Sequence, residues 1–223
     1  LDLSGTEEKK SFYHSRFLPS KAIPFKGMEL NMNKTQFLWL ATVFEGGLIG
    51  LSFLCGLWLE INPLASISLN AEAISLGLLG TLGLLVAFGG GFRLPIPELQ
   101  RIRRLLIETL GEVLAACRWY ELVYVAVLAG IGEESLFRGV LQPWMEELWG
   151  RPVALIVTNL LFGLAHSVTP LYTALAALTG LYLGWLLDAG GERNLFVPMF
   201  VHASYDLAAF FLVAATYRAE YPR

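Results

Sequence analysis

The chain has 223 residues, 55% of them hydrophobic and 16% charged, with a formal net charge of −3 and a mean hydropathy of +0.56. A soluble domain is about 45–50% apolar and about 25% charged, so the composition excludes a disordered or collagen-like chain and argues against an ordinary soluble enzyme. The acidic balance, with a pI near 5.7, argues against nucleic acid as a partner.

Charge placement says more than the average. Of the 16 Lys and Arg, six lie in residues 1–34 and five in 93–118, and none falls between Phe37 and Phe92. This is the pattern of a polytopic membrane protein: an all-α transmembrane bundle of about six spans.

In chain order, residues 1–34 read as a polar tail. They lack an apolar h-region, and Glu7 and Glu8 argue against a transit peptide. Residues 36–59 are apolar apart from Glu45 and form the first span, and 74–92 form the second, closed by Gly89-Gly90-Gly91 and then Pro95 and Pro97. Residues 98–118 place Leu and Ile at helical spacing with Arg101, Arg103 and Arg104 between them, the pattern of an amphipathic helix lying on an interface. Spans three to six follow at about 119–145, 152–166, 170–187 and 194–217, with Pro152 and Pro170 at first helical positions and Asn194 as a cap. The transmembrane domain is thus 35–218, and residues 219–223 form a C-terminal tail. Cys55 and Cys117 fall near opposite faces and are expected as free thiols.

Six spans put both termini on one side. That side collects thirteen Lys and Arg, against Arg151 and Arg193 on the other. The positive-inside rule assigns both termini to the cytoplasm. A prokaryotic cytoplasmic membrane is the expected location, with an organelle membrane as the other option.

Ionisable groups inside a bilayer cost roughly 2.5–3.5 kcal/mol each on the insertion scale and point to function. The spans hold Glu45, Glu133, Glu134, Arg138, His166, His202 and Asp206. Glu45 is alone on its span and is read as a carboxyl hydrogen-bonded within the bundle or protonated. For the others, a helical rise of about 1.5 Å per residue puts Glu133 and Glu134 roughly 20 Å, His166 roughly 21 Å, and His202 and Asp206 roughly 12 and 18 Å from one face. Three spans therefore bring polar groups to one layer. Glu134 and Arg138 are i,i+4 neighbours that can pair, as are His202 and Asp206, so Asp206 is expected to orient the imidazole. Glu133 is turned by about 100° from Glu134 and is left to point elsewhere. Phe162 shares a face with His166 and is expected to wall the site against substrate.

A carboxylate and two histidines from separate helices support two chemistries. Glu133, His166 and His202 can hold Zn²⁺ with an open position for water, or Glu133 can act without metal as a general base on a water held by the imidazoles. Both yield a nucleophilic water in a dry site, suited to hydrolysing an amide. HExxH, GxSxG and CxxC signatures are absent from the sequence. Gly180 and Gly184 read as small residues for close helix packing.

Glu133-Glu134-Ser135-Leu136-Phe137-Arg138 resembles the EExxxR motif of the CPBP intramembrane peptidases, the Abi-like group of CAAX prenyl proteases and bacteriocin-processing enzymes. Phe162 to His166 resembles the FxxxH motif of that family, and His202 to Asp206 its HxxxN/D motif. The resemblance covers about 115–215 and implies that the catalytic core lies there. It implies a membrane helix bundle that cleaves a membrane-anchored protein or peptide, with membrane lipid around it. By resemblance Glu133 is the catalytic base or metal-water carboxylate, Glu134 and Arg138 support it, His166 and His202 bind water or metal, and Asp206 completes the site. The prenyl-protein enzymes more often have Asn where this chain has Asp206. Two other readings stand beside the peptidase: a non-proteolytic scaffold or immunity protein of the same fold, and a proton-coupled transporter.

Overall fold

The computed structural model describes residues 32–222, and the tail expected at 1–34 lies almost wholly outside them. Among the described residues there are eight α-helices, one π-helical segment and no strand. The helices are α1 (Lys34–Leu59), α2 (Ala71–Arg93), α3 (Pro97–Ala116), α4 (Trp119–Leu136), α5 (Gln142–Trp149), α6 (Arg151–Ala165), α7 (Pro170–Leu186) and α8 (Phe196–Glu220), with the π segment Phe137–Leu141 joining α4 to α5. The all-α bundle read from the sequence is the observed fold. Three helices, α1, α2 and α8, are long and apolar enough to cross a membrane, and α6 and α7 are apolar but shorter. The protein is an integral membrane protein.

Local chemistry sets the ends. Asn33 opens α1 with a reciprocal capping box to Gln36, at 3.0 Å in each direction. Asn70 opens α2 by accepting from Ala73 N–H at 2.8 Å. The second span does not stop at the three glycines: α2 runs through them to Arg93, and Pro95 prevents its continuation. Asn194 is not the helix-capping position, because α8 starts at Phe196. Its side chain still accepts from Phe196 N–H and from Ser68 N–H, both at 3.1 Å, tying the loop before α2 to the start of α8.

Packing is built around α4 and α8. α4 lies between α1 and α8, α8 also meets α2 and α3, and α6 pairs with α7 as a hairpin. The amphipathic α3 buries Ile107, Val113 and Leu114 against Val213 and Ala214 of α8 and leaves Arg101 and Arg104 exposed. Outward faces are apolar instead of polar: Leu57 is 78% exposed and Trp58 80%. Such a surface is stable only when lipid covers it.

At 15 residues, α6 spans about 22 Å, short of the roughly 30 Å hydrocarbon core. Its turn to α7, residues 166–169, therefore sits within the thickness of the bundle. The turn satisfies its own polar groups: Ser167 Oγ donates to Leu164 O at 2.6 Å, and Thr169 accepts from Tyr172 N–H at 3.1 Å. This short helix carries His166 to the depth of Glu133.

Candidate active site

Glu133 and Glu134 occupy the last turn of α4, and Arg138 lies in the π segment that follows. Pro143 accounts for that segment. Its ring has no N–H and would collide with the carbonyl four residues earlier in a regular helix, and a widened turn relieves the conflict. π turns recur at functional sites because they re-aim side chains.

Arg138 is fully buried. Its guanidinium donates to Glu134 Oε1 at 2.9 Å, to Asn159 Oδ1 at 2.8 Å and to Gly180 O at 2.8 Å. It also lies over the Phe162 ring, 4.6 Å from the centroid. One rigid fork thereby ties the π segment to α6 and α7. Gly180 is required at this crossing, since a Cβ there would stand 2.6 Å from Asn159 Oδ1 and 3.2 Å from Arg138 Nη2. The Gly180 and Gly184 pair does more than bring helices together: it makes room for Asn159, Gln142 and the arginine.

The histidines are held by their Nδ1 atoms. His202 Nδ1 lies 2.7 Å from Glu134 Oε1, and His166 Nδ1 lies 2.9 Å from Phe162 O. Both partners are acceptors, so each Nδ1 carries a proton, and each Nε2 faces the centre. His166 Nε2 is 3.7 Å and His202 Nε2 4.0 Å from Glu133 Oε2. Asp206 Oδ2 stands 3.5 Å from His202 Nε2. The side chain that orients His202 is therefore Glu134, with Asp206 on the opposite ring nitrogen. Among the described residues, Glu133 Oε2 is buried without a hydrogen-bond partner. Phe162 packs against both imidazoles, with centroids 4.6 Å from His166 and 6.2 Å from His202.

All six ionisable positions singled out by sequence on α4, the π segment, the end of α6 and α8 thus meet in one cluster. Asn159, Gln142 and Gly132 were not singled out, and Gly180 was read only as a packing residue. Asn159 carried a signal, being a polar residue in an apolar helix on the face of His166 two turns away, and Gln142 lies four residues after Arg138. Gly132 carried none, because its role depends on where α1 crosses α4: a Cβ on Gly132 would stand 2.8 Å from Glu45 O.

Among the described residues, no group of three His, Cys, Asp or Glu side chains is placed to hold a metal ion. The separations of 3.7 and 4.0 Å around Glu133 fall between the roughly 3.4 Å of two donors about 2.1 Å from a tetrahedral zinc and the roughly 4.6 Å of two groups hydrogen-bonded to one water at about 2.8 Å. A separate cavity of about 350 Å³, lined by Ser68, Asn70, Glu72 and Arg193, lies at the other end of the bundle, away from this cluster.

The fold and the cluster define a class, an integral membrane helix bundle with an acid–base site enclosed among its helices. Residues 115–208, which hold the whole cluster, match the family described as Type II CAAX prenyl endopeptidase Rce1-like, in line with the group that the three motifs resemble. No curated protein and no solved structure matches the chain.

Proposed function

We propose that this protein is an intramembrane endopeptidase that cleaves a peptide bond of a membrane-anchored protein or peptide by a water activated at Glu133. The observation that carries the reading is the convergence of one unpartnered carboxylate oxygen and two imidazole Nε2 atoms on one point. His166 Nδ1 donates to Phe162 O, which leaves its Nε2 to accept, and His202 is held between Glu134 at Nδ1 and Asp206 at Nε2.

In the proposed reaction a water between Glu133 Oε2, His166 Nε2 and His202 Nε2 donates one proton to Glu133 and the other to His166 Nε2, with His202 closing the third side. Glu133 takes a proton from it, and the oxygen attacks the scissile carbonyl. Glu133 then returns that proton to the amide nitrogen as the C–N bond breaks, leaving a carboxylic acid and an amine. Glu134 and Arg138 hold His202 in place, and Phe162 excludes bulk water from the ring faces. The reading is metal-free; the alternative is Zn²⁺ held by Glu133, His166 and His202 with an open position for water.

Glu133→Gln keeps the shape of the side chain and removes the base. Cleavage of a membrane-anchored reporter peptide in proteoliposomes is expected to fall by about 10²- to 10⁴-fold with the fold retained. A Glu133→Gln protein as active as wild type would remove Glu133 from the mechanism. Activity that survives chelation in metal-analysed protein supports the metal-free reading, and stoichiometric metal lost together with activity overturns it. Presenting prenylated and unprenylated CAAX peptides side by side reads the substrate class. Asp206 at the position where prenyl-protein enzymes more often carry Asn leads us to expect no preference for the prenylated form.

We also propose that the face carrying α3 is cytoplasmic. Lys34, Arg93, Arg101, Arg103, Arg104, Arg118 and Arg218 lie on that side, against Arg151 and Arg193 on the other. Arg151 pairs with Asp188 at 3.0 Å, and Arg193 pairs with Asp188 at 2.9 Å and with Glu146 at 2.7 Å. Labelling of single cysteines placed at 101 and at 192 from each side of sealed vesicles tests the orientation. Labelling of position 101 from the outside would reverse it.

A further inference from the structure

Glu45 is the one acidic or basic residue of α1 between its first turn and its end, and it points inward. Residues of α1 that are buried number three, Glu45, Ser52 and Gly56, so the helix turns a carboxyl, and no large apolar side chain, fully into the bundle. It does so where α1 and α4 come closest. The Glu45 backbone rests against Gly132, and Glu45 Oε2 would lie 3.1 Å from a Cβ at that glycine, one residue before Glu133.

Glu45 is 9% exposed, and its Oε2, like Glu133 Oε2, has no hydrogen-bond partner among the described residues. The Glu45 carboxyl is close enough to Glu133, His202, Asp206 and His166 to interact electrostatically with each. Other charges along α1 are remote: Lys34 pairs with Glu121 at the far end, where Phe37 and Leu38 pack against the α3 cluster. A buried carboxyl without a partner weakens a fold, so packing gives no reason for it. Two carboxyl oxygens cannot satisfy one another without a proton or a water between them.

We propose that Glu45 is a positioning residue of the site, a fourth-helix carboxyl that hydrogen-bonds through a bridging water to Glu133 and fixes its carboxylate for proton abstraction. The inference rests on the peptidase reading above and extends the site to α1, outside the segment that matches the family.

The test compares Glu45→Leu, Glu45→Gln and Glu133→Gln in one proteoliposome cleavage assay, with melting temperature measured in detergent. Glu45→Leu is expected to lower kcat about tenfold or more, as loss of an outer positioning partner does, with KM within about twofold of wild type. Its Tm is expected to be equal to wild type or higher, because an unsatisfied buried carboxyl is gone. Glu45→Gln, whose amide still hydrogen-bonds, is expected to recover most of kcat. Wild-type kcat in Glu45→Leu beside an inactive Glu133→Gln overturns this proposal alone. So does a loss of Tm that tracks the loss of kcat in both Glu45 variants, which would mark a packing role. Should Glu45→Leu not fold, Glu45→Ala takes its place: kcat lowered about tenfold with KM and Tm near wild type supports the proposal, and wild-type kcat, or a Tm loss that tracks the kcat loss, overturns it. A wild-type protein without cleavage, or an active Glu133→Gln, overturns the peptidase reading and this extension with it.

Discussion

At the scale of single residues, the site works by removing choices. Glu134 Oε1 receives both Arg138 and His202 Nδ1, so one carboxylate oxygen sets the arginine and the imidazole together. Glu133, its neighbour in sequence, turns its unpartnered Oε2 toward the Nε2 atoms of His166 and His202. The division of labour follows from the turn of about 100° between consecutive helical residues. Arg138→Ala would leave Glu134 as a buried charge without its guanidinium, which typically costs about 3–5 kcal/mol. In a protein of this size that corresponds to a fall in Tm of at least about 6 °C, readable by thermal unfolding in detergent. Arg138→Lys is expected to restore little of it, because a single ammonium lacks the planar fork that reaches Glu134, Asn159 and Gly180 O together.

At the scale of elements, glycine positions decide where helices meet the site. Gly180→Ala would push a methyl onto Asn159 Oδ1 and Arg138 Nη2. The expected cost is about 1–3 kcal/mol of stability, together with reduced cleavage because the arginine can no longer hold its place. Gly47→Ala is the contrasting case. No heavy atom lies within 4 Å of the added Cβ, and α1 is expected to be unchanged or more stable by up to about 1 kcal/mol. Paired melting curves and cleavage rates for the two variants check both outcomes; equal effects would contradict the close approach at Gly180. The shortness of α6 belongs at this scale too. A full-length span would carry its C-terminal residue past the layer of Glu133, whereas 15 residues end at it.

At the scale of the whole molecule, the bundle is apolar on its outside and holds its ionisable groups within. Trp39 and Trp58 are 63% and 80% exposed on α1. Their fluorescence is expected to be quenched by brominated acyl chains after reconstitution and to be insensitive to aqueous iodide. Strong iodide quenching of both would contradict a lipid-covered α1. Ion pairs fasten the faces: Arg193 bridges Asp188 and Glu146 on one, and Arg103 meets Glu220 at 2.8 Å on the other. Pairs at the rim of the bundle contribute on the order of 1 kcal/mol each, so the apolar packing of α4 and α8 carries the fold.

The amino-acid sequence by itself determined the membrane class, the helical fold and the four places where acids, the arginine and the histidines stand out. Each follows from local quantities: hydropathy over a span, an i,i+4 spacing, a proline or an asparagine at a helix end. The limits of that local reading appear at particular residues. Asp206 was the natural partner for His202 on one helix, yet Glu134 from another helix holds the ring. Gly180 and Gly184 read as generic packing residues, yet they frame a buried polar cradle with Asn159. Glu45 read as an isolated carboxyl, yet α1 crosses α4 at Gly132 and brings it beside Glu133. Only the tertiary structure decided these points, because each depends on where two helices cross, and a crossing point is a property of the packed bundle that no single helix carries in its own sequence.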